Sequence, residues 1–136
     1  MPCILVIDDD KDVRAMISIV LRVRQFEVVE AASAAAGLEA FGQSSFDAAI
    51  IDIFLSGTSG FDLIAIMRER APDLPIVAVS GITILDAASP LADLSNVICL
   101  QKPFRPTELI EAIDCAREAM ANEARGSKTV PASAAS

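Results

Sequence analysis

Five short apolar runs, each separated from the next by a longer segment, set the rhythm of this chain: CILVI (3–7), FEVVE (26–30), DAAIIDI (47–53), PIVAVS (75–80) and VICLQ (97–101). Four of them are apolar on both alternating sets of positions, as in strands covered above and below; FEVVE carries Glu27 and Glu30 and suits a sheet edge. Between the runs, apolar residues recur at helical spacing. Val13, Met16, Ile17, Val20 and Leu21 form one stripe at i, i+3, i+4, i+7 and i+8. Ala34, Leu38 and Phe41 mark a second helix, Phe61, Ile64 and Met67 a third entered through GTSG (57–60), and Leu109, Ile113, Ala116 and Met120 a fifth. The fourth segment, ITILDAASPLADLSN (82–96), carries Pro90 near its middle. It predicts either a helix that breaks there or a short one with Ser89 as cap and Pro90 in its first turn.

Strands alternating with helices predict an α/β fold with a parallel sheet, whose strands all point one way. Their carboxyl ends then share one edge, and in open sheets of this kind the ligand crevice lies beyond it. The residues at those ends are Asp8 and Asp9 after the first run, Asp52 near the end of the third, Ser80 closing the fourth and Lys102 after the fifth. Taken singly, most have a plain explanation: Asp9 and Asp10 as helix caps, Ser80 as a turn residue, Lys102 as a solvated loop charge. Asp52 interrupts the apolar stretch AAIIDIFL, where an unpaired charge is costly. Asp8, Asp9 and Asp52 together would repel and raise one another's pKa unless a cation lay among them. Oxygen ligands without His or Cys select a hard ion, Mg²⁺ or Mn²⁺, and leave positions open for water and phosphate. Lys102 suits a phosphate oxygen, Ser80 can donate a hydroxyl hydrogen bond to another, and a carboxylate can serve as nucleophile.

Composition narrows the choice further. A length of 136 residues suits one domain, and a hydrophobic share of 53% argues for a folded body. Nineteen acidic against eleven basic residues give a net charge of -8, which disfavours direct contact with nucleic acid or an anionic membrane. The chain has no histidine, so the usual general base and the commonest zinc ligand are absent. Cys3, Cys99 and Cys115 sit in apolar surroundings and read as reduced packing residues of a cytoplasmic protein. No apolar run approaches the ~20 residues of a membrane span, and the start of the chain lacks the basic residues of a signal peptide. After Arg125 the composition shifts to GSKTVPASAAS, which predicts a disordered tail over 126–136 behind a domain of residues 1–125.

In the order VIDDD, IIDIFLSGTSGFDL, IVAVSG, LQKPF, the chain resembles the receiver domain of bacterial two-component response regulators over about residues 3–122. The resemblance implies a flavodoxin-like, doubly wound sheet of five parallel strands in the order 2-1-3-4-5, with helices on both faces. It assigns Asp52 as phosphoacceptor and Lys102 and Ser80 as phosphoryl contacts. Asp8, Asp9, Asp52 and the backbone carbonyl of Phe54 fall on the Mg²⁺ side. The partner it implies is a histidine kinase or histidine phosphotransfer protein, with a downstream protein as target and a monomer or weak dimer as the unit. The expected form is a stand-alone receiver that signals through protein contacts. Two alternatives remain: an interaction domain that is not phosphorylated, and an aspartyl-phosphate-type phosphohydrolase. The chain also departs from the pattern. Cys99 stands where an aromatic residue usually couples to the switch, Ser56 where proline is common, and Pro90 disturbs the fourth helix. The Lys102-Pro103 bond matches one that is often cis in the family. Phe54 and Ile82 flank the expected site with apolar bulk, which predicts slow spontaneous dephosphorylation.

Overall fold

The computed structural model describes residues 2–55, 57–81 and 96–126. Five parallel strands, β1 (Cys3–Ile7), β2 (Glu27–Ala31), β3 (Ala48–Asp52), β4 (Ile76–Ser80) and β5 (Val97–Gln101), form one sheet in the order β2-β1-β3-β4-β5. The described helices are α1 (Lys11–Val23), α2 (Ala34–Gln43), α3 (Gly60–Arg70) and α4 (Pro106–Gly126). This is the doubly wound 2-1-3-4-5 order that the resemblance implies. The fourth predicted helical segment, with Ile82 and Pro90, the position of Ser56 and the predicted tail from 127 on lie outside the described residues.

Strand alternation divides the core in two. Leu5, Ile7, Ala49, Ile51, Ile76 and Ala78 pack under α2 and α3 with Ala34, Leu63, Ile64 and Met67. Ile4, Val6, Ala48, Ile50, Val77 and Val79 pack under α1 and α4 with Ile17, Leu21, Leu109, Ile113 and Ala116. The central strands β1, β3 and β4 therefore read as continuous apolar runs, because both parities of the pleat are buried. Each fully buried Ile or Leu contributes about 2 kcal/mol of transfer free energy. The stripe predicted for the first helix meets this core as expected: Ile17 and Leu21 are buried, and Val13, Met16 and Val20 pack against the same cluster.

The helix starts are built from the residue types that suit them. Asp10 caps α1, its Oδ1 accepting from the N–H of Asp12 at 2.9 Å and of Val13 at 3.2 Å. Ser33 caps α2 and Ser59 caps α3 in the same manner. Pro106 opens α4, where its missing N–H costs nothing.

Two expectations need correction. VICLQ is less enclosed than its apolar content predicts: β5 is an outer edge of the sheet, with Cys99 and Gln101 exposed and the rest half-buried. The cysteines are free thiols, but Cys99 and Cys115 are exposed and Cys3 is half-buried, so they are not core packing residues. An edge strand has a neighbour on one side only, and nothing in its own apolar content reports that. FEVVE, with its two glutamates, is the opposite edge, as predicted. Among the described residues no helix is long and apolar enough to cross a membrane.

Candidate functional site

The register of the sheet brings the predicted residues together. Ile7 of β1 pairs with Ile51 of β3, so the next residues, Asp8 and Asp52, emerge side by side at the carboxyl edge. On the other flank Asp52 pairs with Val79, and Ser80 with Gln101, which places Lys102 one step beyond. The Lys102 N–H donates to the Ser80 carbonyl at 2.7 Å and continues this ladder past the end of β5. Asp8, Asp52 and Ser80 are buried and Asp9 is exposed. One carboxylate oxygen from each of Asp8, Asp9 and Asp52 lies within 4.8 Å of the other two.

Each buried aspartate is held at both oxygens. Asp8 accepts from the Asp10 N–H through Oδ1 at 2.8 Å and from Lys102 Nζ through Oδ2 at 3.1 Å. Asp52 accepts from the Phe54 N–H through Oδ1 at 3.0 Å and from Lys102 Nζ through Oδ2 at 3.5 Å. The ammonium thus bridges two carboxylates that would otherwise repel. Burial pushes the Asp8 carboxyl above the usual range and the charge of Asp52 pushes the same way, against the Asp10 N–H and Lys102. Burial alone would lower Lys102, but its hydrogen bond to Asp8 and the charges of Asp8 and Asp52 outweigh this and raise it. Three carboxylates and one ammonium leave a formal excess of two negative charges, which fits a divalent cation bound through oxygen. Among the described residues this is a donor set of carboxylates alone, suited to a hard ion.

Asp10 stands apart from the cluster and serves as the α1 cap, so the plain reading of that residue holds. Phe54 is half-exposed and begins a two-residue antiparallel ladder, Phe54–Leu55 with Thr58–Ser59, which the apolar pattern did not predict. Gly57, at φ +79, lies in its turn. Gly60 carries the return. A Cβ there would stand 2.5 Å from both the Asp52 carbonyl oxygen and the Ile53 Cα, so only glycine lets α3 start directly against the end of β3. The Gly60 N–H donates to the Ile53 carbonyl at 2.8 Å. Cys99 is exposed on β5, three residues before Lys102. The Lys102-Pro103 bond is cis, as expected. Arg14 and Glu30 were not predicted to belong near the site. Arg14 Nη1 donates to the Asp8 carbonyl at 2.8 Å, and Nε pairs with Glu30 Oε1 at 3.3 Å. The available signal was Glu30 itself, an acid at a strand position of the same parity as Val28, which packs into the α1 side of the core.

A family model described as the response regulator receiver domain matches residues 4–114. The chain belongs to that family. Receiver domains are signalling domains of two-component systems, and this one aligns with regulators longer than itself. It is 32% identical over 111 residues to the regulatory protein VanR of Enterococcus faecium, a match covering 81% of this chain and 47% of VanR. It is 26% identical to an NtrX-like response regulator of Rickettsia bellii, covering 79% of this chain and 23% of the relative. This receiver domain thus spans between about a quarter and a half of these curated relatives. Among solved structures it is similar to a response regulator receiver domain protein from Clostridium thermocellum, at 28% identity and a TM-score of 0.79, covering 90% of this chain and 99% of the other. NtrX from Brucella abortus aligns with a TM-score of 0.82 at 27% identity, over 94% of this receiver domain and 29% of NtrX.

Proposed function

We propose that this receiver domain accepts a phosphoryl group on Asp52 from a phosphohistidine of a partner kinase or phosphotransfer protein. The observation that carries this reading is the shared grip of Lys102 on Asp8 and Asp52 at the carboxyl edge of the sheet, beside Asp9. An oxygen of the Asp52 carboxylate attacks phosphorus, the bond from phosphorus to the donor imidazole nitrogen breaks, and the imidazole leaves with a proton from solvent. Lys102 follows the charge from the carboxylate to the phosphoryl oxygens, and positioning with electrostatics does most of the work. Asp8, Asp9, Asp52 and the Phe54 carbonyl would hold Mg²⁺, or Mn²⁺ in its place, which supplies charge neutralisation at the phosphoryl oxygens. The Ser80 hydroxyl, buried at the end of β4, would donate to a new acceptor oxygen on the modified Asp52. Changed contacts with a downstream protein are the output. Phe54 beside the acceptor favours slow hydrolysis, so the phospho-form should persist for minutes rather than decay in seconds.

The test is intact mass after incubation with Mg²⁺ and a small phosphodonor such as acetyl phosphate. Wild type should gain the mass of one phosphoryl group and Asp52→Asn should not. An equal gain in the variant overturns the assignment of Asp52. Divalent-cation binding with no phosphoryl uptake by wild type would instead support an interaction domain without phosphorylation, the reading that the exposed Cys99 at the coupling position favours.

A further inference from the structure

Behind the acidic loop lies a polar construction that has no part in the transfer just described. The Asp8 N–H closes the β1 to β2 ladder by donating to the Ala31 carbonyl at 3.1 Å. The carbonyl of Asp8 is taken by a side chain instead, the guanidinium of Arg14 at 2.8 Å. Arg14 is held in turn by Glu30 of β2, and its side chain is only 17% exposed. Val6 pairs with Glu30 in the sheet, so the acid occupies the register position facing the α1 side, where Val6 is buried and Val28 packs half-buried. Glu30 itself is exposed, so it anchors Arg14 from the rim of that side without the cost of a buried charge.

The geometry of the peptide unit indicates what the anchored Arg14 does. The Asp8 carbonyl belongs to the planar group that contains the Cα atoms of both Asp8 and Asp9. A donor that fixes this carbonyl fixes the plane, and the plane sets the directions from which two of the three clustered carboxylates leave the backbone. We propose that Arg14, anchored by Glu30, is a positioning residue for divalent-cation binding: it locks the Asp8–Asp9 peptide so that both carboxylates converge with Asp52. This rests on the reading of the acidic cluster as a metal centre. It adds a requirement that neither the cluster nor Lys102 makes on its own, since Arg14 donates to the backbone from which two of the carboxylates spring.

The chain contains no Trp or Tyr to report binding by fluorescence, so Mn²⁺ titration followed by electron paramagnetic resonance is the suitable readout. Wild type, Arg14→Gln and Glu30→Gln are compared with Arg68→Gln. The last removes a half-buried guanidinium that donates to the backbone carbonyls of Leu74 at 3.1 Å and Asn96 at 3.4 Å, near the amino ends of β4 and β5 and away from the acidic loop. Arg14→Gln should weaken Mn²⁺ binding about tenfold, the lower end of what supporting residues contribute at metal sites. Glu30→Gln still accepts from Arg14 and should weaken it by only about threefold. Arg68→Gln should leave the affinity at the wild-type value even where it lowers the melting temperature as much. Wild-type affinity in Arg14→Gln, or an equal loss in Arg68→Gln, overturns the proposal. Should Arg14→Gln fail to fold, Arg14→Lys and Glu30→Gln decide, and unchanged affinity in both overturns it. Absence of Mn²⁺ binding in wild type sinks the metal reading itself, and this role for Arg14 with it.

Discussion

The two loops that deliver carboxylates to the crevice are held in opposite ways. After β1, the chain is tied by polar groups: the Asp10 N–H on Asp8, the Asp10 carboxylate on α1, and Arg14 on the Asp8 carbonyl. After β3, it is held mainly by shape, with Gly60 pressed against the Asp52 carbonyl and the Ile53 Cα and a short ladder closing the loop. Polar ties can be lost singly at a modest cost, because water replaces much of each one. A backbone contact with no space for one more carbon has no partial form. The difference teaches that one acidic wall depends on several separable polar ties and the other on a single backbone contact, with the proposed phosphoacceptor on the second.

Gly60→Ala is the strongest way to break this comparison. The added carbon must displace backbone, so the variant should lose about 3 kcal/mol in urea unfolding. A loss no larger than that of a helix-cap deletion would refute the steric account. Asp8→Asn acts in two directions. It should weaken Mn²⁺ binding at least about tenfold, by the loss of a ligand charge, yet stabilise the metal-free protein by about 1 kcal/mol by removing a buried charge beside Asp52. Thermal unfolding with and without metal separates the two effects, and a metal-free variant less stable than wild type would contradict them.

The same residue sets a pH dependence. Asp8 has a carboxyl raised above 3.8 in the folded state, so on raising the pH the unfolded chain loses this proton first. The stability penalty from Asp8 is therefore nil below 3.8, grows up to the raised folded value and stays constant above it. The stability gained by Asp8→Asn should follow that profile, and Mn²⁺ affinity in wild type should fall as pH descends through the same window. A gain that is flat with pH would exclude Asp8 as the group responsible. Asp10→Ala is the smallest expected effect. Losing the α1 cap should cost about 1 kcal/mol of stability, with Mn²⁺ affinity little changed because the Asp10 bond to Asp8 comes from the backbone.

Much of this was legible in the chain. The five runs and four of the predicted helical stripes became elements, since buried faces impose periods of two and 3.6 residues that the side chains must obey. Asp8, Asp9, Asp52, Ser80 and Lys102 could be placed at one edge because parallel strands all end on the same side. The exposure of Cys99 and Cys115 escaped, because apolar neighbours in sequence say nothing about how many strands or helices lie alongside. The turn between Phe54 and Ser59 escaped for a related reason: a two-residue ladder has no period to detect. Gly60 and Arg14 are legible only in three dimensions, one through a missing carbon that would meet β3, the other through a long side chain reaching back along its own helix to the strand before it.

The pairing of Ile7 with Ile51 carries one more implication. Side chains on neighbouring strands alternate between faces, so sliding β1 past β3 by a single residue would send Asp8 and Asp52 to opposite surfaces. A chain folded out of frame could keep most of its apolar contacts and its helices yet present no place for a doubly charged ion. Under the proposed metal reading, uptake of that ion would double as a proofreading signal, counting only those molecules whose central strands have found their proper alignment.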